Sequence, residues 1–585
     1  MNKDILHTVK SVMGCLLMAS LAAGCAQEDI GTTPTGGGGM SASSYVSFSF
    51  ASLQGAPTRS NPMGGEIGDG LEKGQDYENA ITSAVAFFYQ GTEQEGVNSA
   101  GNIPIKAAVT FSKADYTEPG NGIDRTYTTA AKQVDLENGT YNVIVVANPG
   151  TDWWTGRSLK LADVRDHIHT AAWTASESGY SNFVMTSAAD AMLTLNSNPE
   201  SNPATAEVNV ERMAARLDYK AEASYTCTDP KYSGATVEIT GAALVNNLTA
   251  GSYLLKRVAD DVNGTNLSYL GDETADANYV ATNYVLDPWT AVKTSTNNSF
   301  TIGGEVKTAE DLYGEWFGNI SQDPNYQDPN YWADYVQPGI EVSDGTEQWQ
   351  RIGYTLENTT AAEEAGKRYS TGVVFKAKFH PQGVANYTDG ETFFAYGTKI
   401  YASMEDMMAG FYGSKFDDLD NITSCATWGD VKQFITSTLL TNDPSGYNKY
   451  LEGLAEGKDD SETVANASSL TWGNYMLNEC GYSKDENGKV VLDQNGKVTR
   501  IALQPYGTRT YEDATCYYTW WVRHSNDNDD TKKGIMEYAI VRNNIYKLTV
   551  NSVYSLGGEV PEEESLIVDV YVNDWLLLDN ETLPM

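Results

Sequence analysis

Residues 45–61 read YVSFSFASLQGAPTRSN. Val46, Phe48 and Phe50 alternate with Ser47, Ser49 and Ala51, the period-two pattern of a strand with one face buried. From Gln54 onward the run breaks into Gly, Pro, Ser and Asn, a turn-forming stretch around Arg59, the first arginine of the chain. The reading is a β fold whose first strand hangs on an exposed basic loop that a trypsin-like protease could cut after Arg59, leaving Ser60 as the new start.

The rest of the composition agrees with β structure. Thr and Tyr are frequent, Gly is abundant, and no long 3.6-residue or heptad pattern dominates. A chain of 585 residues has room for about two to four domains. Its net charge of -39 leaves no broad face that could neutralise phosphates, so no nucleic-acid partner is expected.

Residues 1–25 have the form of a targeting segment. Lys3 and Lys10 precede an apolar run over 12–23 that is too short to span a bilayer, and Ala22, Ala23 and Gly24 lead into Cys25. Cys25 is the expected lipidation site, although Ala22 stands where a lipoprotein signal most often has Leu. A plain secretory signal is the alternative. Cys227, Cys425, Cys480 and Cys516 remain, widely spaced and without a C-x-x-C element. They fit free or structural thiols better than zinc ligands, and three disulfide pairings stay open.

Along the chain, residues 31–44 form a Gly/Thr/Ser tether. Residues 82–90 and 140–147 are the clearest strands; the second, TYNVIVVA, is a continuous apolar run that stops at Asn148-Pro149-Gly150. Leu161, Val164 and Ile168 share one helical face, predicting a helix over 159–169. A domain boundary is expected near Arg212. Residues 383–500 differ in character: Ser403 with Asp406 starts a short helix, residues 430–440 form a stronger one behind Thr427, and two Asn-Gly turns lie at 485–498. The duplicated QDPNY at 322–331 is expected as a loop.

Candidate chemistry mostly fails on inspection. His167 and His169 would lie about 200° apart on a helix and could chelate only from a strand. The Asn-Gly turns lack the closing Glu of a calcium loop. No G-x-S-x-G, H-E-x-x-H or P-loop occurs, and no carboxylate pair stands out. Neither an enzymatic activity nor a cofactor is expected. Tyr331-Trp332 and Trp520-Trp521 could stack on sugars, though core packing is the commoner use of such pairs.

The last residues mirror the first. Residues 564–585 read ESLIVDVYVNDWLLLDNETLPM, with Val568, Val570 and Val572 on one face, behind a Gly/Pro/Glu-rich linker at 557–564. A strong strand at each end, each on a loose connection, suggests that one can replace the other.

These pieces resemble the fimbrillins of the Bacteroidales, most of all the Mfa-type shaft subunits of type V pili. The matching stretches are the start of the chain, the arginine loop, TYNVIVVANPG at 140–150 and ERMAARLDY at 211–219. YYTWWV at 517–522, RNNIYKLTV at 542–550 and VDVYVNDWLL at 568–577 follow in the same order. Residues 383–500 have no counterpart.

The resemblance implies a mainly β protein of two transthyretin-like β-sandwich domains with a partly helical insertion in the second. The implied division is 1–25 signal, 26–59 propeptide, 60–212 first domain, 213–556 second domain with the insertion at 383–500, and 557–585 linker and donor strand. It implies an outer-membrane lipoprotein precursor that an Arg-specific protease cuts between Arg59 and Ser60, removing Val46, Phe48 and Phe50. Val568, Val570, Val572 and Trp575 of a neighbouring copy would fill the groove, building an extracellular fimbrium for adhesion and biofilm formation. Other copies of the chain, tip and anchor subunits and a host or bacterial surface receptor are the implied partners. The rival readings are a monomeric glycan-binding surface lipoprotein and a tip or anchor subunit.

Overall fold

The computed structural model describes residues 43–52, 70–91, 103–117, 127–176, 179–259, 284–285, 287–293, 299–302, 305–318, 326, 328–359, 369–403, 406–407, 508–524, 533, 536–561 and 566–576. The protein is mainly β, as expected. β1 (Ser44–Ser52) is followed by β2 (Leu71–Lys73), a helical turn at Asp76–Asn79, β3 (Ser83–Tyr89) and β4 (Ile105–Ser112). Next come β5 (Tyr127–Thr129), β6 (Lys132–Val134), β7 (Gly139–Ala147), β8 (Met185–Ser187) and β9 (Ala204–Arg212). All of these strands except β2 lie in one ten-stranded sheet whose order runs β4-β3-β7-β8-β9-β1-β5, with Tyr116–Thr117 beyond β5, β6 pairing the other part of β1 and Ala191–Leu195 pairing β7.

The continuous apolar runs of β3 and β7 are explained by burial on both faces. Phe88, Val143 and Val145 face one core with Val46, Phe48 and Phe50, while Phe87, Ile144 and Val146 face another with Trp154, Leu161 and Leu254. β7 ends where Asn148 turns to φ 51°, and the Asn148 side chain holds the turn by accepting from Thr82 N and donating to the Ala80 and Phe183 carbonyls.

After Arg212 the chain leaves this sheet. β10 (Ala215–Lys220), β11 (Thr236–Val245), β12 (Ile340–Ser343), β13 (Gln348–Thr355), β14 (Gly372–His380), β15 (Thr515–Trp521), β16 (Asn544–Val553) and β17 (Leu566–Leu576) form two further sheets. One has the order β2-β17-β16-β10-β13-β12; the other places Tyr225–Thr226, β11, β14 and β15 side by side. Leu217, Tyr219, Leu244, Phe375, Tyr518, Leu548 and Val572 fill the second core, between these two sheets, as distinct from the first core around Val46, Phe48 and Phe50.

Two local expectations need correcting. Only Leu161–Arg165 is helical within 159–169, because Ile168–His169 pairs as a strand with Ser252–Tyr253. The second QDPNY copy is no loop: Asp328 accepts from Asn330 N–H and Pro329 takes the first helical position of Pro329–Tyr335. Ser403 does open a short turn, with Asp406 N donating to its hydroxyl. The helix at 430–440 and the Asn-Gly turns lie outside the described residues.

Candidate functional site: the first strand, the last strand and their junction

β1 sits inside its sheet, bonded on both sides. It runs parallel to β9, from Val46 opposite Ala204 to Ser52 opposite Val210. On its other side it is antiparallel to β6 near its start and to β5 near its end. Val46, Phe48 and Phe50 are buried to 1% exposure or less, and Phe48 packs edge-on against Phe111 with ring centroids 5.8 Å apart. Ser47 Oγ donates to the Thr129 carbonyl at 2.7 Å, and Phe48 N–H donates to Thr129 Oγ1 at 2.9 Å. The alternation read from the sequence is therefore the alternation of the strand. Arg59, Ser60 and Cys25 lie outside the described residues.

β17 folds back on its own chain, antiparallel to β16 from Leu566 to Asp574, while Leu71–Lys73 pairs in parallel with its last three residues. Val568 and Val570 pack against the second core and Val572 is buried in it, whereas Ile567 on the opposite face is 61% exposed. Trp575 parts company with the three valines. Being an odd number of residues from Val572 it faces the other way, and it enters the first core beside Phe183 and Tyr354.

The junction around Trp575 is charged as well as apolar. The Arg212 guanidinium lies 4.6 Å from the indole centre and donates to the Trp575 carbonyl at 3.0 Å, to Glu78 O at 3.1 Å and to the Asn79 side chain. Arg216 donates to Asp218, to Glu78 at 3.0 Å and to Glu72. Burial pushes Arg212 down to about 9. It also pulls at Arg216, but the carboxylates of Asp218, Glu78 and Glu72 outweigh it and hold that guanidinium above its ordinary value. Burial raises Asp218 to about 6 against the pull of Arg216. Gly74 closes the junction, since a Cβ there would stand 2.5 Å from Trp575 Nε1 and 2.4 Å from Asn79 Oδ1.

Of the junction residues the sequence named Trp575 as part of the donor face and Arg212 as a boundary, but not the cluster they form with Glu72, Glu78, Arg216 and Asp218. The signal was present in ERMAARLDY, where Arg212, Arg216 and Asp218 interrupt an apolar stretch and so require buried partners.

The other candidates resolve into packing. Trp332 is fully buried, and Trp521 packs with it around Val374, while Trp520 lies against the second core. His167 stacks on Trp153 at 3.9 Å, and burial, helped by the charges of His169 and Arg157, pushes it down to about 4. Among the described residues no three His, Cys, Asp or Glu side chains gather as a metal site. Cys227 and Cys516 are free buried thiols, and burial lifts them to about 11 and about 12. No described helix is long and apolar enough to cross a membrane.

Comparison with known proteins gives the following. A protein from Parabacteroides distasonis, described as a candidate cell adhesion protein, superposes with TM-score 0.40 at 10% identity, over 91% of this chain and 100% of that one. A fimbrilin from Porphyromonas gingivalis W83 gives 0.34 at 12%, over 92% and 98%. The tip fimbrial protein Mfa3 from Porphyromonas gingivalis, with a C-terminal truncation, gives 0.33 at 10%, over 91% and 100%. No curated protein matches the chain. Residues 509–581, which include β15, β16 and β17, match the family described as Major fimbrial subunit protein type IV, Fimbrillin, C-terminal. Residues 509–581 are thus similar to the fimbrillin C-terminal family, the family to which the sequence resemblance pointed.

Proposed function

We propose that the chain is a structural subunit of a surface fimbria, a pilus shaft, which polymerises by protease-triggered donor-strand exchange and serves adhesion and biofilm formation. The observation that carries this reading is the place of β1, inside a sheet and bonded on both edges, with Val46, Phe48 and Phe50 buried in the core. Its removal would strip a partner from β9, β5 and β6 and empty the sites of three fully buried side chains. At about 1.5–3 kcal/mol each, that vacancy costs roughly 5–9 kcal/mol before ladder bonds are counted. Such a groove demands an occupant with the same alternation. Val568, Val570 and Val572 have it, and the fimbrillin C-terminal match includes them.

In this reading Cys25 anchors the precursor by lipid, and an Arg-specific protease cuts between Arg59 and Ser60. The groove of one subunit then takes the valine face of a neighbour's β17. To serve a neighbour β17 must leave β16, and Trp575 must leave its place beneath Arg212. Tip and anchor subunits would complete the filament, and a surface receptor would be its target. The aromatic pairs that would support a glycan-binding monomer are engaged in packing, so no observation favours that rival.

The test is limited digestion of the purified precursor with an Arg-specific protease, followed by mass measurement and non-boiled gels. A single cut after Arg59 should yield a ladder of multimers, absent in Arg59→Ala and in a chain lacking residues 568–585. A cut product that stays monomeric refutes strand exchange.

A further inference from the structure

Lys547 is the one lysine among the described residues whose side chain is buried, at 3% exposure. It reaches from β16 to two carboxylates brought from distant parts of the chain. Its Nζ lies 2.5 Å from Asp344 Oδ2, in the turn between β12 and β13, and 2.6 Å from Glu72 Oε2 on β2. An ordinary ion pair needs only one of these. Lys132 with Asp115 and Lys256 with Glu211 are such pairs, their lysines 33% and 22% exposed.

The Asp344 carboxylate is also oriented in an unusual way. Oδ1 accepts from Thr346 N–H at 2.8 Å, Glu347 N–H at 2.8 Å and the Thr346 hydroxyl at 2.6 Å. Oδ2 accepts from Lys547 and from Trp349 Nε1 at 3.1 Å, and the Trp349 ring lies 4.4 Å from Lys547 Nζ. One oxygen thus sits in a nest of three donors, and the other faces the amine. Glu72 is held from its far side by Arg216, and Asn573 donates to it at 3.4 Å.

We propose that Lys547 and Asp344 form an intramolecular isopeptide bond, with Glu72 as the general base and acid of its formation. The reaction starts from an ammonium and a carboxylate. Burial raises the Asp344 pKa, but donation from Lys547, Thr346 and Glu347 outweighs it and keeps the group ionised. Glu72 Oε2 takes one proton from the ammonium, and the freed Nζ lone pair attacks Asp344 Cγ. The negative charge that develops on Oδ1 falls where three donors already point. Glu72 then returns its proton to Oδ2, the nitrogen gives up a second, and the Cγ–Oδ2 bond breaks to release water. Three ammonium protons end as one amide hydrogen and two on water, and nothing is oxidised. Holding nucleophile, electrophile and base in contact supplies the proximity that the reaction lacks in solution.

The bond would tie β16 to the β12–β13 turn across β10, which lies between β16 and β13. This inference stands independently of the fimbrial reading. Intact mass and tryptic mapping of the purified full chain test it. The wild type should be lighter than its sequence by one water and should give a branched peptide joining the Lys547 and Asp344 segments, with no cleavage after Lys547. Lys547→Arg and Asp344→Ala should have full mass, and Glu72→Gln should remain unlinked while its circular dichroism matches the wild type. A wild type of full mass, cut by trypsin after Lys547, overturns the proposal. So does a water lost with Lys547 still cleavable, because Asp344-Gly345 can instead close to a succinimide. Complete linkage in Glu72→Gln overturns the role given to Glu72.

Discussion

Trp575 belongs to the last strand by sequence and to the first core by packing. Its ring is stacked on Tyr354 with 5.9 Å between centroids and carries Arg212 on its face. Trp575→Ala should therefore lower unfolding stability by about 3–5 kcal/mol in denaturant titrations, more than an average strand position would. Gly74→Ala should cost about 1–3 kcal/mol by pressing a methyl group against the same indole. His167 gives a pH signature. Its folded value of about 4 lies below the ordinary 6.5, so between those values the unfolded chain binds more protons and stability falls as pH falls. His167→Gln should flatten the melting temperature against pH between about 6.5 and 4, relative to wild type. At this scale the sequence was only partly legible. The valine face of β17 could be read from alternation, but not that one strand crosses from one core to another. Nor could it be seen that Lys547, one basic residue among many, would be buried between two acids from residues 72 and 344.

β1 shows what can be read from an element. Its period-two face and its loose connection are both local properties, and the structure keeps the first as written. A chain beginning at Ser60 should associate or lose its folded monomer, and adding a peptide of residues 44–52 should restore the monomer in gel filtration. The same peptide with Phe48→Asp should fail, since it would bury a charge between Phe88 and Phe111. Where local pattern misled, a distant partner was responsible. Residues 159–169 carry a helical apolar spacing, but Ser252–Tyr253 captures Ile168–His169 into a two-residue ladder. Pairing across such a separation leaves no mark in either segment.

The molecule as a whole is assembled from its ends inward. The six-stranded sheet draws β2 from near the start, β17 from near the end and four strands from between, an arrangement that no window of sequence contains. Composition does speak at this scale. With 78 acidic residues against 39 basic ones, the chain should repel its copies along any exposed flank. Light scattering from the purified chain should rise as salt is raised, when screening lets its copies approach. The double-sided pairing of β1 has a mechanical consequence. A strand seated there and pulled along its own axis loads both ladders in shear, so many bonds resist together instead of opening one after another. The working strength of such a joint is then a matter of how slowly it ruptures under tension, and not of its affinity at rest.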